Sequence, residues 1–169
     1  MAANARGRYG RLVQIIWKQI DTMQRGAGTT VIETTLSQED VKVTGRAYRV
    51  MVVDDSKTIR RTAETLLRKE GFEVVTAMDG FDALGKIVDY QPDIIFLDIM
   101  MPRLDGYQTC ALIKHHRIFR NTPVVMLSSR DGLFDRARGR VVGSDRYITK
   151  PFTKEDLLAV IAHYVGNSE

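Results

Sequence analysis

One cysteine, Cys110, is present in 169 residues, so no internal disulfide can staple the chain, and no Cys/His cluster offers a zinc site. Long apolar runs are also missing. The unbroken stretches are short, such as the four residues Ile94-Ile95-Phe96-Leu97, and none exceeds the six of Leu157–Ala162, against the roughly 18 a membrane helix needs. A P-loop pattern GxxxxGK[ST] does not occur, which removes the common nucleotide cradle. The net charge of +4 is not spread evenly. Residues 1–49 hold eight basic and four acidic groups, which leaves seventeen of each in residues 50–169. A DNA-binding body normally carries a positive balance, so this one is not read as a DNA binder. What is present is 44% hydrophobic residues, enough for a buried core.

From Tyr48 onward short apolar runs alternate with segments of helical period. Tyr48–Val53, Phe72–Ala77, Ile94–Leu97, Val124–Leu127 and a segment ending Tyr147-Ile148 read as strands. Thr58–Glu70, Phe81–Tyr90, Tyr107–His116, Leu133–Val142 and Glu155–Val165 read as helices, with Ser56 as the first N-cap and Gly71 and Gly143 as stops. Five alternations of strand and helix predict right-handed crossovers and one parallel sheet covered on both faces, an α/β doubly wound fold. Strands as uniformly apolar as Val124-Val125-Met126-Leu127 fit a sheet buried on both sides. Ligands of such sheets bind beyond the carboxyl ends of the strands.

Asp54-Asp55 follow the first strand, Asp98 the third, Ser128-Ser129 the fourth and Lys150-Pro151 the fifth. Taken singly these are ordinary: an Asp or Ser at a strand end usually caps a helix or makes a turn, and a lone Lys is usually solvated. Taken together they gather three carboxylates, a hydroxyl and an ammonium at one rim. Clustered carboxylates require a cation or raised pKa values, and oxygen donors without His or Cys favour a hard ion, Mg²⁺. With the ion bound, a carboxylate and Lys150 could hold the oxygens of a phosphoryl group. A haloacid-dehalogenase-type phosphohydrolase also uses an Asp after strand one, but its second Asp lies two residues on, whereas Asp54 is followed by Asp55 and Ser56.

The runs VMVVDDSKTIRR, IIFLDIMMPRLDG, VVMLSS and YITKPF resemble the receiver domains of bacterial two-component response regulators, over about Arg49 to Val165. The resemblance implies a CheY-like, flavodoxin-like five-stranded sheet of order 2-1-3-4-5, with a receiver over residues 48–169 and an appendage over 1–47. It implies that Asp98 accepts a phosphoryl group from a phosphohistidine of a sensor kinase. Asp54, Asp55, Asp98 and the backbone carbonyl of Met100 would hold Mg²⁺, with Asp54 acting mainly through water. Ser128, Ser129 and Lys150 would bind phosphoryl oxygens, with a cis Lys150–Pro151 peptide. Ser128 and Tyr147 would switch the face made of helix four, strand five and helix five. Met100 and Arg130 occupy positions that modulate phosphoryl lifetime in receivers, and neither offers a carboxamide or carboxylate to orient water. Slow self-dephosphorylation is expected.

No output module is expected after Val165. Among stand-alone receivers the chain is similar to the PilG-type twitching-motility regulators. That implies a chemotaxis-type histidine kinase, a target in type IV pilus extension, and a cytoplasmic protein recruited to the pilus machinery at the membrane. A phosphorelay intermediate or phosphate sink with no pilus target fits the same residues. Arg136, Arg138 and Arg140 offer a stripe for an acidic partner or simply a solvated helix face. In the appendage, Leu12, Val13, Ile16 and Ile20 can form an apolar helical stripe, and an unstructured tail or an upstream start ahead of Met23 are the alternatives.

Overall fold

A computed structural model of the protein describes residues 47–129 and 133–165. The expectations about residues 1–46 and Arg130 lie outside these. The elements are β1 (Arg49–Val53), α1 (Lys57–Lys69), β2 (Glu73–Ala77), α2 (Gly80–Tyr90), β3 (Ile94–Asp98), α3 (Gly106–His115), β4 (Val124–Ser128), α4 (Leu133–Val141), β5 (Arg146–Thr149) and α5 (Lys154–Val165). The five strands form one parallel sheet in the order β2-β1-β3-β4-β5, the doubly wound fold expected.

Local chemistry sets the boundaries. Ser56 Oγ accepts the Ile59 N–H at 3.4 Å and starts α1. At its end the N–H groups of Gly71 and Phe72 return to the carbonyls of Arg68 and Leu67, with Gly71 at φ +88°. That Schellman closure needs a residue free of a Cβ penalty. Asp79 caps α2 through the Asp82 N–H, and Asp105 and Gln108 form a reciprocal capping box on α3.

Alternating strand residues build two apolar layers. Val50, Val52, Ile94, Phe96, Val125 and Leu127 pack with Ala63 and Leu67 of α1 and Leu157, Val160 and Ile161 of α5. Met51, Val53, Ile95, Leu97 and Met126 are buried on the other face. Full burial of a side chain such as Phe96 contributes about 1.5–3 kcal/mol. The firm central strands therefore hold their carboxyl ends in fixed register.

Three strands, β3, β4 and β5, run one residue further than the apolar runs predict. Asp98 pairs with Leu127 and Ser128 with Thr149, so these three polar residues are the last rungs of the ladder rather than the first residues after it. Apolarity marks burial, whereas strand length follows backbone hydrogen bonds, and here the ladder continues to the site itself.

Candidate functional site

The site forms where β1, β3 and β5 end. Asp54 leaves β1 fully buried, its backbone N–H bonded to the Ala77 carbonyl at 3.1 Å. Its Oδ1 accepts the Ser56 N–H at 2.8 Å, a local Asx turn that fixes the carboxylate. Its Oδ2 accepts Lys150 Nζ at 2.5 Å. Asp98, buried at the end of β3, receives the same ammonium on Oδ1 at 2.9 Å and the backbone N–H of Met100. Asp55 is exposed, yet it offers a carboxylate oxygen such that those of Asp54, Asp55 and Asp98 lie within 4.8 Å of one another.

Lys150 directly follows β5, with its backbone N–H on the Ser128 carbonyl at 2.6 Å and a cis peptide to Pro151. Burial holds the Asp98 carboxyl above its ordinary value against the bond from Lys150, and the neighbouring Asp54 charge pushes the same way. Burial pulls the Lys150 ammonium down, but its bonds to Asp54 and Asp98 outweigh this and hold it above the usual range. The ammonium thus remains charged between two carboxylates, which are close enough to repel without it.

The donor set fits a hard divalent cation. Every candidate ligand is oxygen, and one carboxylate is open to solvent while two are fixed. The ammonium between the buried carboxylates already meets the need for positive charge that a cation would share.

The remaining predicted residues are distributed around this centre. Ser128 is buried at the end of β4 and Ser129 is exposed beyond it. Tyr147 is half-buried on β5, in register with Met126. The Met100 side chain is 68% exposed, free of the core, while its backbone touches Asp98. On α4, the Arg138 guanidinium lies over the Tyr107 ring at 4.8 Å and Arg140 is exposed; the Arg136 side chain lies outside the described residues.

Two further residues shape the site without a signal in the strand-end pattern. Arg60 Nη1 donates to the carbonyls of Asp54 at 2.6 Å and Asp55 at 3.0 Å, tying the acidic turn to α1. An α1 residue six positions after an acidic pair is a conceivable cue, but a helical Arg is ordinarily read as solvated. Gly106 is the other. A Cβ there would stand 2.2 Å from the Asp98 carbonyl oxygen and 2.7 Å from Ile99 Cα, so only glycine lets α3 begin against the end of β3.

Residues 50–162 match the response regulator receiver domain family. The protein PilG of Pseudomonas aeruginosa is 71% identical over 117 residues, covering 69% of this chain and 87% of that one. Among solved structures, the chemotaxis protein CheY4 of Vibrio cholerae superposes with a TM-score of 0.69 at 31% identity, covering 71% of this chain and all of that one. The receiver domain of a sensor histidine kinase of Pseudomonas aeruginosa, solved with a magnesium ion coordinated in its active-site cleft, gives 0.67 at 25% identity, with 72% of this chain and all of that one covered.

Proposed function

This chain belongs to the response regulator receiver family, a family of signalling proteins rather than classical enzymes, and on that premise we propose that it is a switch phosphorylated on Asp98. The receiver spans residues 48–169 and residues 1–47 are appended to it. The observation that carries the proposal is the Lys150 ammonium shared between two buried carboxylates at the ends of β1 and β3, with a third carboxylate beside them.

Both reactants are anionic, so charge must be neutralised and the carboxylate aimed before transfer can occur. A carboxylate oxygen of Asp98 attacks the phosphorus of a phosphohistidine. The P–N bond breaks, the imidazole leaves with its electron pair, and an acyl phosphate remains. Lys150 then bonds the added phosphoryl oxygens as well as Asp54, and Ser128 and the backbone at Ser129 complete the cradle. Asp54, Asp55, Asp98 and the Met100 carbonyl are the groups that hold Mg²⁺; the ion supplies further neutralisation of the phosphoryl charge. Arg60 keeps the acidic turn in place.

The output is a change of the α4-β5-α5 face. Ser128 turns towards the phosphoryl group and Tyr147 moves into the space it leaves, biasing a two-state surface. The exposed Arg138 and Arg140 suit an acidic partner. With no carboxamide or carboxylate at Met100 or Arg130 to orient water, the acyl phosphate decays slowly. The likeness to PilG supports a chemotaxis-type histidine kinase upstream, and a target in type IV pilus extension and twitching motility. The protein then works in the cytoplasm, recruited to the pilus machinery at the membrane.

The test is capture of binding proteins with and without beryllofluoride, using wild type and Asp98→Ala. Pilus-extension proteins retained only by beryllofluoride-treated wild type are expected. Identical partners in all four samples would refute the switch, and phosphotransfer to a second histidine protein without any such capture would make the chain a relay intermediate.

A further inference from the structure

The loop from Ile99 to Asp105 leaves β3 directly at Asp98. Its ends are fixed by backbone bonds, Ile99 N–H to Leu127 and Gly106 N–H to Ile99. Its middle is held differently. The Leu104 N–H returns to the Pro102 carbonyl at 2.8 Å, with Arg103 between them at φ +70°. A three-residue turn with positive φ at its centre is rare and strained for any residue with a Cβ. Something must hold it there.

Asp79 does. Its side chain is only 4% exposed; one oxygen caps α2 at the Asp82 N–H, 2.9 Å away, and the other accepts Arg103 Nη2. The Arg103 guanidinium also lies over the Phe81 ring at 5.6 Å. Beside it Leu104 is buried, and a Cβ on Gly80 would meet Leu104 Cδ2 at 2.8 Å and Thr109 Oγ1 at 2.2 Å. The loop is thus docked on the N-terminus of α2 by one half-buried, charge-assisted bond, from an exposed guanidinium to a buried carboxylate, and one close apolar contact.

We propose that Asp79 and Arg103 are a positioning pair that holds the loop after Asp98, and with it the Met100 backbone, in the geometry that binds the divalent cation and the phosphoryl group. The inference rests on the phosphoacceptor function proposed above. The pair touches neither reactant and acts through Met100, whose N–H bonds Asp98 and whose carbonyl would face the cation.

Two variants separate positioning from plain stability. Asp79→Asn keeps an equally good helix cap and removes only the charge that holds Arg103. Arg103→Gly removes the side chain and relieves the positive φ, so folding is not impaired. The full chain is titrated with magnesium chloride while the amide signals of Ile99 and Gly106 are followed, then phosphorylated with acetyl phosphate and unfolded in urea. Both variants are expected to bind magnesium about 10-fold more weakly, as loss of a supporting partner commonly does, with Arg103→Gly unfolding at the same or a higher urea concentration. Arg103→Lys should recover part of the affinity. Magnesium affinities within twofold of a competent wild type in both variants would overturn the pair alone. A wild type that neither binds magnesium nor is phosphorylated would overturn the functional proposal and this one with it.

Discussion

β3 and β5 lie one strand apart in the same sheet and could hardly differ more. All five residues of β3 are buried, whereas β5 has one exposed residue and three half-buried ones. The acidic cluster stands on the buried side of this contrast, with Asp54 and Asp98 fixed by core strands. Lys150 and Tyr147 stand on the other, at a sheet edge. Chemistry needs donors held to fractions of an ångström, and a central strand supplies that rigidity. A binding face that must adopt two arrangements needs few apolar contacts to break, and an edge strand supplies that. Lys150 belongs to both regions, because its backbone directly follows β5 while its ammonium sits in the acidic cluster.

The largest effect should come from cutting that link. Lys150→Met keeps the stem but removes the donor, so binding of the partner induced by beryllofluoride should fall about 10²–10³-fold, about 3–4 kcal/mol. An unchanged response measured by titration calorimetry would mean that edge and cluster are not coupled through this side chain. Next is the core contrast itself. Phe96→Ala on β3 should cost about 3–5 kcal/mol of folding free energy, against about 1–2 kcal/mol for the half-buried Ile148→Ala on β5. Equal shifts in urea unfolding would erase the distinction between the two strands.

Cys110 reports on the same boundary. It is fully buried on α3, its Sγ donating to the Val142 carbonyl at 3.8 Å, and burial pushes its thiol up to about 12. A thiol reagent at neutral pH should therefore react only through opening, and faster than global unfolding allows, because the α4–β5 side separates first. Labelling that tracks global unfolding would place the edge and the core in one cooperative unit. The smallest effect is expected at Arg138→Ala, which loses an exposed cation–π contact worth about 0.5 kcal/mol, while its effect on partner binding should be larger than that.

The strands and the strand-end residues were legible because strands covered on both faces are continuous apolar runs, and polar residues interrupt them at their carboxyl ends. Asp54, Asp55, Asp98, Ser128 and Lys150 stand out for that reason alone. Arg60, Asp79, Arg103 and Gly106 do not. The Asp79–Arg103 bond joins residues 24 apart, and the need for Gly106 exists only once α3 is placed against the end of β3. Neither leaves a local period to read. β5 is hard to delimit because an edge strand is half polar, and its four residues carry only Tyr147 and Ile148 as apolar signal.

The most direct measurement is a site-resolved mass analysis of the full chain after incubation with acetyl phosphate, with magnesium and with excess EDTA. One phosphoryl group per chain on the peptide containing Asp98 is predicted, present with magnesium, lost with EDTA and absent in Asp98→Ala. A phosphoryl group on any other residue, or an unmodified Asp98 in folded protein with magnesium, would contradict it.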